Sequence, residues 1–198
     1  MIRRTVLVIA LSVVFLNSYS QDGMLSRLFF PLLYGVNFPL RNSHLSKNFM
    51  NTEGIEYRFK SIAPCFARLT VENLNYDYSI ENSIGTNVSK SELNATGYYL
   101  SAGIRKGNGK FRFSGALRAG DLSYRYPVVN DLGSRYEVRY YHDRSFSCGI
   151  VAGMEYYFTG NFAAIMESHY MWLPSANSFW EHNFQNVGIS LGITTTLF

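Results

Sequence analysis

The stretch RSFSCGIVAGMEYYF, from Arg144 to Phe158, has an apolar residue at every second position. Successive side chains of a β-strand point to opposite faces, so this alternation predicts a strand with one apolar and one mostly small or polar face. The apolar face comprises Phe146, Cys148, Ile150, Ala152, Met154, Tyr156 and Phe158. The other face comprises Ser145, Ser147, Gly149, Val151, Gly153, Glu155 and Tyr157. A strand of this length can cross a bilayer.

The first twenty residues have the three parts of a secretory signal. Arg3 and Arg4 are cationic, an apolar run extends from Val6 to Leu16, and Ser18 and Ser20 are small. We therefore expect a signal peptide over residues 1–20, cleavage before Gln21 and one domain over residues 21–198. A retained anchor helix is a weaker alternative, because the apolar run is too short to span about 30 Å of hydrocarbon.

The same alternation recurs along the rest of the chain, whereas helical periodicity does not persist. Two changes of phase are expected, as a β-bulge near Glu72 and Asn73 and as a second slip before Leu122. Eight strands are predicted: Leu28 to Phe38, Glu53 to Lys60, Phe66 to Ile80, Leu93 to Arg105, Phe111 to Tyr126, Arg144 to Phe158, Phe162 to Trp172, and Val187 to Thr194.

The connections alternate between short and long. Tight turns are predicted at Gly107 to Gly109 and at Gly160, and longer polar loops at Asn82 to Glu92, Pro127 to Asp143 and Pro174 to Asn183. In bacterial membrane barrels the short turns face the periplasm and the long loops face outward. The pattern predicts an all-β fold, an eight-stranded antiparallel up-and-down transmembrane barrel.

The polar face decides between a membrane barrel and a soluble one. A soluble barrel buries its apolar face, whereas a membrane barrel turns that face toward lipid. Here the polar face is rich in Gly and Ser, which suits a narrow filled lumen with ion pairs. The charged residues expected inside are Glu56, Arg58, Lys60, Arg68, Glu72, Arg105, Arg112, Arg118, Glu155 and Glu167.

From Gln21 to Phe198 the chain resembles the small eight-stranded outer-membrane β-barrel superfamily, particularly the barrel proteins of Bacteroidetes-type bacteria. The resemblance rests on the exported start, on Gln21, on the rhythm of strands and loops, and on the terminal Phe198. It implies outer-membrane lipid and lipopolysaccharide as surroundings, and barrel assembly machinery as a partner during insertion. Phe198 is out of phase with Leu191 and Ile193. Either a bulge among Thr194, Thr195 and Thr196 restores the phase, or the strand ends with Leu197 facing outward.

Composition excludes some function classes. Without Arg3 and Arg4, the formal net charge of +4 falls to about +2, which is too small to indicate nucleic acid as a partner. Aromatic residues make up 16% of the chain, which fits strands and the aromatic girdles of membrane barrels. Cys65 and Cys148 fall in distant elements, and we do not expect them to form a disulfide.

His169 is the residue most suggestive of catalysis. Some barrels of this shape are enzymes that act on lipid A with Ser, His and an acidic residue. Glu167 shares the face of His169, and Ser175 and Ser178 follow in the next loop. Met171, however, occupies the place where the deacylase pattern has serine. We interpret His169 as a lumen residue bonded to nearby carboxylates, and predict no catalytic or cofactor-binding residue.

No metal site is predicted either, because His44, His142, His169 and His182 lie in separate elements without metal-ligand spacing. Gly107 to Gly109 fits a hairpin turn better than a phosphate-binding loop.

Aromatic residues near the loops could form a binding surface, but an interfacial belt is the favoured interpretation. They are Tyr124, Tyr126, Tyr136, Tyr140, Tyr141, Phe179 and Trp180. We expect a non-enzymatic outer-membrane barrel whose loops serve envelope integrity, adhesion or recognition of an extracellular ligand. A lipid A-modifying enzyme and a soluble exported ligand-binding barrel are the alternatives, and a large pore is disfavoured for eight strands.

Overall fold

Strands make up nearly all of the computed structural model, which describes residues 27–40, 45–59, 64–81, 87–131, 136–174 and 184–196. The predicted signal segment, Gln21 and Phe198 lie outside these residues. The strands are β1 Leu28–Pro39, β2 Leu45–Ser46, β3 Asn48–Arg58, β4 Cys65–Glu81, β5 Asn87–Lys106, β6 Phe111–Asp131, β7 Tyr136–Tyr157, β8 Phe162–Trp172 and β9 Gln185–Thr196. Within the described ranges, no helix has the length and apolar character needed to cross a membrane.

The strands form one closed antiparallel barrel. β2 and β3 both pair with β4 and are two parts of one barrel strand, so the wall has eight strands. β1 closes the ring by pairing with β9. Paired residues traced around the wall from Leu28 pass through Tyr57, Ala67, Ala102, Leu117, Ile150, Tyr170 and Val187, and return to β1 at Phe38. This stagger of ten residues tilts the strands by roughly 40° from the barrel axis, and the predicted fold class is confirmed.

The apolar faces of the strands point out of the barrel. On β7, Ile150 is 56% exposed, and on β9 Leu191 is 62% exposed whereas its neighbour Ser190 is 2% exposed. The alternation predicted from Arg144 to Phe158 is confirmed, and the apolar face is the one that points outward. A soluble barrel needs the reverse arrangement, so the apolar exterior fits a barrel that spans a membrane.

Aromatic side chains concentrate toward both ends of the outer wall. Near the short turns, outward-facing rings pack in series: Phe111 on Tyr156 (4.9 Å between centroids), Tyr156 on Phe158 (5.2 Å) and Phe158 on Phe162 (5.7 Å). We call this the turn end of the barrel. At the opposite, loop end the outward-facing aromatics are Phe38, Phe49, Tyr98, Phe146, Tyr170 and Trp172. Two such girdles bound the apolar belt of a membrane barrel.

The two predicted changes of phase were wrong. β4 pairs with β5 in one register from Cys65 to Tyr78, and the only irregularity between them follows Tyr78. β6 pairs with β7 without interruption from Phe111 to Asp131. The phase of β4 is therefore constant up to Tyr78, and that of β6 is constant along its pairing with β7. The chemistry of the lumen changes instead, because apolar residues point inward near the loop end. Tyr124, predicted in an interfacial belt, is one of these buried lumen residues.

Two of the predicted loops were also too long, because strands continue into them. β5 begins at Asn87, β6 continues to Asp131, and β7 begins at Tyr136. β5 and β6 stop pairing at Asn94 and Arg125, whereas the β4–β5 and β6–β7 ladders continue beyond that level. We call the extended β4–β5 and β6–β7 strand pairs the two tall hairpins. Beyond the apolar belt, a pair of strands needs no apolar outward face. Hydrophobic alternation therefore does not predict how far such a pair extends.

Candidate functional site: the charged lumen

In the half of the lumen nearer the turn end, the charged side chains converge on Glu56, an inward-facing residue of β3 that is 1% exposed. Arg58 Nε donates to Glu56 Oε1 at 2.7 Å, and Arg68 Nε and Nη2 donate to Oε2 at 2.9 and 2.7 Å. Arg105 from β5 also donates to Oε1. Three guanidinium groups from three strands thus converge on one carboxylate.

Two further carboxylates extend this network across the barrel. Glu155 on β7 accepts hydrogen bonds from Arg58 Nη2 at 3.1 Å and from the Tyr157 hydroxyl at 2.7 Å. Glu167 on β8 accepts one from Arg68 Nη1 at 2.5 Å. Side chains of β3, β4, β5, β7 and β8 are thereby joined. We call Glu56, Arg58, Arg68, Arg105, Glu155, Tyr157 and Glu167 the turn-end network.

The turn-end network balances three arginines against three glutamates. Unpaired, these charges would be costly to bury, but paired and hydrogen-bonded they can fill a narrow lumen. Arg58 also stacks on the ring of Phe29, which packs with Tyr157 and Ala163 at the turn end. The inward positions predicted from sequence are confirmed for the members of this network. Arg112, on the same face of β6 as Arg118, lies over the buried Tyr157 ring at the turn end, and Lys60 lies outside the described residues.

A second charged group lies nearer the loop end. Arg118 Nη1 on β6 donates to Glu72 Oε2 on β4 at 2.7 Å, and the guanidinium lies over the Tyr99 ring. His169 Nε2 is 3.4 Å from Glu72 Oε1. Neither of these last two atoms has a hydrogen-bond partner among the described residues, and the same holds for Arg118 Nε and Nη2.

A polar cavity of about 20 Å³ lies between the two charged groups. Its lining includes Thr52, Thr70, Ser101, Arg118, His169 and Ser190. This volume is enough for about one water molecule, and a buried water typically makes about three hydrogen bonds. Such a water could satisfy unpaired atoms of Arg118 and His169.

Above the Glu72 group an apolar layer fills the lumen. We call this layer the loop-end cluster: Leu45, Met50, Leu74, Tyr76, Leu93, Ala95, Tyr99, Leu122, Tyr124, Met171, Leu173 and Phe184. Leu74, Leu93, Leu122 and Leu173 are fully buried. At the level of this cluster, the Ser147 hydroxyl donates a hydrogen bond to the Tyr99 hydroxyl at 3.2 Å. The Tyr99 hydroxyl in turn donates to Met171 Sδ at 3.2 Å. Sequence reasoning did not identify this layer.

The structure places His169 inside the barrel, where it is 6% exposed. Its neighbouring carboxylate is Glu72 on β4, whereas Glu167 binds Arg68. The lumen position of His169 agrees with the interpretation, but the expected bond to a carboxylate is not formed, because its Nε2 has no hydrogen-bond partner among the described residues. Ser175 and Ser178 lie outside the described residues. The His169 ring packs against Gly188 on β9, where a Cβ atom would meet it.

The remaining candidate residues are dispersed. Within the described ranges no three His, Cys, Asp or Glu are grouped to hold a metal ion. His142 is exposed on β7, and His44 and His182 lie outside the described residues. Cys65 and Cys148 are free thiols on β4 and β7. Gly107 to Gly109 form a hairpin turn between β5 and β6, where Gly109 has a positive φ of 64°.

A cationic patch lies on the outer wall above the loop-end girdle. Arg125 on β6 pairs in register with His142 on β7, and Arg144 lies two residues further along the same outward face of β7. The Arg125 guanidinium is 4.4 Å from the centroid of the Tyr140 ring. We call Arg125, Tyr140, His142 and Arg144 the basic rim. Tyr126 and Tyr141 stack nearby on the inward-facing side of the β6–β7 hairpin, so their placement in the predicted interfacial belt was wrong. The side chain of Tyr136, with Phe179 and Trp180, lies outside the described residues.

Comparison with known proteins shows likeness in fold only. No protein-family model matches the sequence, and no curated protein matches it significantly. The structure is similar to the crystal structure of neisserial surface protein A, with a TM-score of 0.63 and 14% identity over 89% of this chain and 100% of that one. It is also similar to the outer membrane protein OprG of Pseudomonas aeruginosa, with a TM-score of 0.57 and 10% identity over 87% of this chain and 97% of that one.

Proposed function

We propose that the protein is an integral outer-membrane β-barrel that is closed to solutes, has no enzymatic activity, and acts through the surface at its loop end. That surface would serve adhesion, recognition or envelope integrity. The observation that carries this proposal is the filled lumen. The turn-end network, the Glu72–Arg118 pair and the loop-end cluster occupy successive levels of one barrel.

A closed lumen argues against transport as the main role. Eight strands enclose a space that side chains can fill, whereas water-filled porins have about sixteen strands. Two cavities among the described lumen residues, of about 20 and 10 Å³, each have room for at most about one water. Recognition therefore falls to the tall hairpins, which extend past the level where β5 and β6 separate.

The outer membrane is the proposed location, with the loop end facing outward. The apolar exterior and both aromatic girdles support insertion, and barrels similar in fold are described as a surface protein and an outer membrane protein. The orientation follows the rule that short turns of bacterial barrels face the periplasm. Insertion of this kind requires the barrel assembly machinery of the cell.

The basic rim supports contact with lipopolysaccharide. Arg125 and Arg144 face outward just beyond the apolar belt. We expect lipid phosphates at this level around the proposed membrane-inserted barrel. Guanidinium groups bind phosphate through charge-assisted, often bidentate hydrogen bonds. We expect Arg125→Ala with Arg144→Ala to weaken binding to lipopolysaccharide vesicles, most clearly at low salt. Lys106→Ala at the turn end is the matched control and should leave that binding unchanged.

Planar-bilayer recording tests the closed lumen. The reconstituted protein should produce no channel openings, while a large-pore porin inserted in parallel verifies that the bilayer reports channels. Steady openings from the purified, folded protein would contradict the proposal. Detergent-dependent, heat-modifiable migration on a gel confirms that the sample is a folded barrel.

Labelling of intact cells tests location and orientation. In a Cys65→Ser, Cys148→Ser background, His142→Cys at the loop end should react with a membrane-impermeant maleimide. Thr159→Cys at the turn end should react only after the cells are lysed. Labelling of Thr159→Cys on intact cells, or recovery of the protein without detergent, would refute the proposal.

A further inference from the structure

Glu53 is a carboxylate on the outer wall of the barrel. Inward-facing Glu56 and Arg58 set the phase of β3, so Glu53 and Ile55 point outward, and Glu53 is exposed. It pairs in register with Leu32 on β1 and with Val71 on β4, both outward-facing apolar residues. Glu53 therefore lies within the apolar belt.

Its depth can be estimated from strand geometry. Phe59, an exposed aromatic residue that follows β3 at the turn end, lies six residues further along the chain. At roughly 3.3 Å per residue and a tilt of about 40°, Glu53 lies about 15 Å above Phe59 along the barrel axis. The apolar band of such barrels is about 25 Å tall. Lys106, Arg125 and Arg144, which also face outward, lie instead near the ends of the belt or beyond it.

The Glu53 carboxylate has no partner among the residues that the structure describes. Its side chain makes neither a hydrogen bond nor an ion pair with any of them. Hydrocarbon supplies no hydrogen-bonding group, and an ionisable residue at this depth normally faces a partner or a water-filled cavity. A barrel surrounded by lipid alone leaves this carboxyl unsatisfied.

Hydrogen-bond donors lie on the same face, toward the loop end. Asn51, two residues before Glu53, pairs in register with Asn73 on β4. Thr96 Oγ1 donates to Asn73 Oδ1 at 3.1 Å, so the oxygen of this amide is used within the wall and its NH₂ group remains as the donor. We call Asn51, Glu53 and Asn73 the polar stripe.

We infer that the polar stripe is the contact between two copies of this chain in the membrane, an inference that rests on the membrane insertion proposed above. A twofold axis parallel to the barrel axis keeps both copies in the same orientation and at the same depth. A twofold interface must be self-complementary. The polar stripe meets this condition, because the carboxyl group of Glu53 can pair with the amides of Asn51 and Asn73 of the partner subunit.

The apolar side chains around the polar stripe suit the rest of such a contact. Tyr34 is 63% exposed and Leu69 is 62% exposed, and they flank the stripe on β1 and β4. Packing of these side chains exchanges lipid contacts for protein contacts and adds little net hydrophobic driving force. The hydrogen bonds of Glu53 are therefore expected to determine affinity and register.

Sedimentation equilibrium in density-matched detergent micelles tests this inference with purified protein. The wild-type protein should show a reversible monomer–dimer equilibrium, and Glu53→Leu should raise the dissociation constant by about tenfold or more. Glu53→Gln keeps hydrogen-bonding groups and should retain most of the dimer. Ser168→Leu removes an outward-facing polar group on β8 and is the control that should leave the equilibrium unchanged.

Cross-linking in the native membrane identifies the partner. In a background without Cys65 and Cys148, Val71→Cys beside the polar stripe should give homodimers with a short bifunctional maleimide. Leu117→Cys, exposed on β6, should not. A monomeric wild-type protein at every concentration, equal effects of Glu53→Leu and Ser168→Leu, or cross-links only to other proteins would overturn the inference. Each of these results would leave the closed barrel and its location intact.

Discussion

Glu72 and Arg118 bind each other across β5, with Arg118 Nη1 2.7 Å from Glu72 Oε2. β4 and β6 share no backbone pairing, so this ion pair joins strands that the ladder does not join directly. Both side chains are nearly fully buried. Their attraction compensates for the loss of hydration only while both partners are present.

Removal of one member of this pair should destabilise the barrel strongly. We expect Glu72→Leu to lower the free energy of unfolding by about 3–5 kcal/mol, because Arg118 is left buried and unpaired. The double variant Glu72→Leu, Arg118→Leu should lose less than the sum of the two single changes. Urea titration in vesicles, followed by tryptophan fluorescence, measures each value. Glu92→Gln, an exposed change on β5, should stay within about 0.5 kcal/mol, and additivity would argue against coupling.

The absence of a side chain at Gly188 leaves space for the His169 imidazole, and substitutions at these two positions test this steric relationship. A Cβ atom at position 188 would meet the imidazole ring. Gly188→Ala should therefore lower the unfolding midpoint, by an amount equivalent to about 1–3 kcal/mol. His169→Ala removes the obstructing ring, so the double variant should recover much of the loss. An equal loss in Gly188→Ala with and without His169 would show that the two residues do not compete for space.

The lipid-facing direction of β6 can be tested with one charge at two depths. Leu117 is 70% exposed within the belt, and Ser123 lies on the same outward face near the loop end. Leu117→Arg should destabilise the folded barrel in vesicles by about 2–4 kcal/mol, and Ser123→Arg by about 0–1 kcal/mol. Equal effects at both depths would place the outer wall in water.

The buried position of His169 predicts that it does not modify lipid. His169→Ala, and deletion of the whole gene, should leave the mass spectrum of lipid A unchanged. The imidazole faces the lumen beside Glu72, whereas lipid acyl chains around the proposed membrane-inserted barrel would contact only its outer wall. A lipid A species lost on deletion and restored by the wild-type gene, but not by the His169→Ala gene, would establish catalysis.

The orientation of the strands was predictable wherever the two faces differ in both size and polarity. In β7, the inward-facing residues from Ser145 to Gly153 are glycine or serine except Val151, and they alternate with apolar outward-facing residues, so only one phase of the strand fits both faces. The alternation in β8 and β9 could be read in the same way, and the structure confirms it.

The errors arose where the lumen itself becomes apolar. Leu74 and Tyr76 in β4, and Leu122 and Tyr124 in β6, are buried inside the barrel. Under the rule that apolar residues face lipid, the positions of these residues look like those of a strand whose phase has changed. No local signal distinguishes the two cases, because the difference depends on the loop-end cluster, which eight strands assemble together.

The charged residues of the lumen could be predicted individually, but their pairings could not. Arg68 and Glu167 are 99 residues apart, and they meet because β4 and β8 face each other across the lumen. The sequence pattern predicts which face each of these charged side chains occupies, whereas its partner depends on the number of strands and their stagger. For the same reason Glu72 was not expected as the neighbour of His169.

The ten-residue stagger has a consequence for engineering. The radius of a closed β-barrel depends on the number of its strands and on their offset, and is independent of the length of the connecting loops. Foreign peptides grafted onto the tips of the tall hairpins should therefore leave the radius of the barrel unchanged. Widening it would require an additional pair of strands or a new offset, and either change would separate the arginines from the glutamates that they now reach.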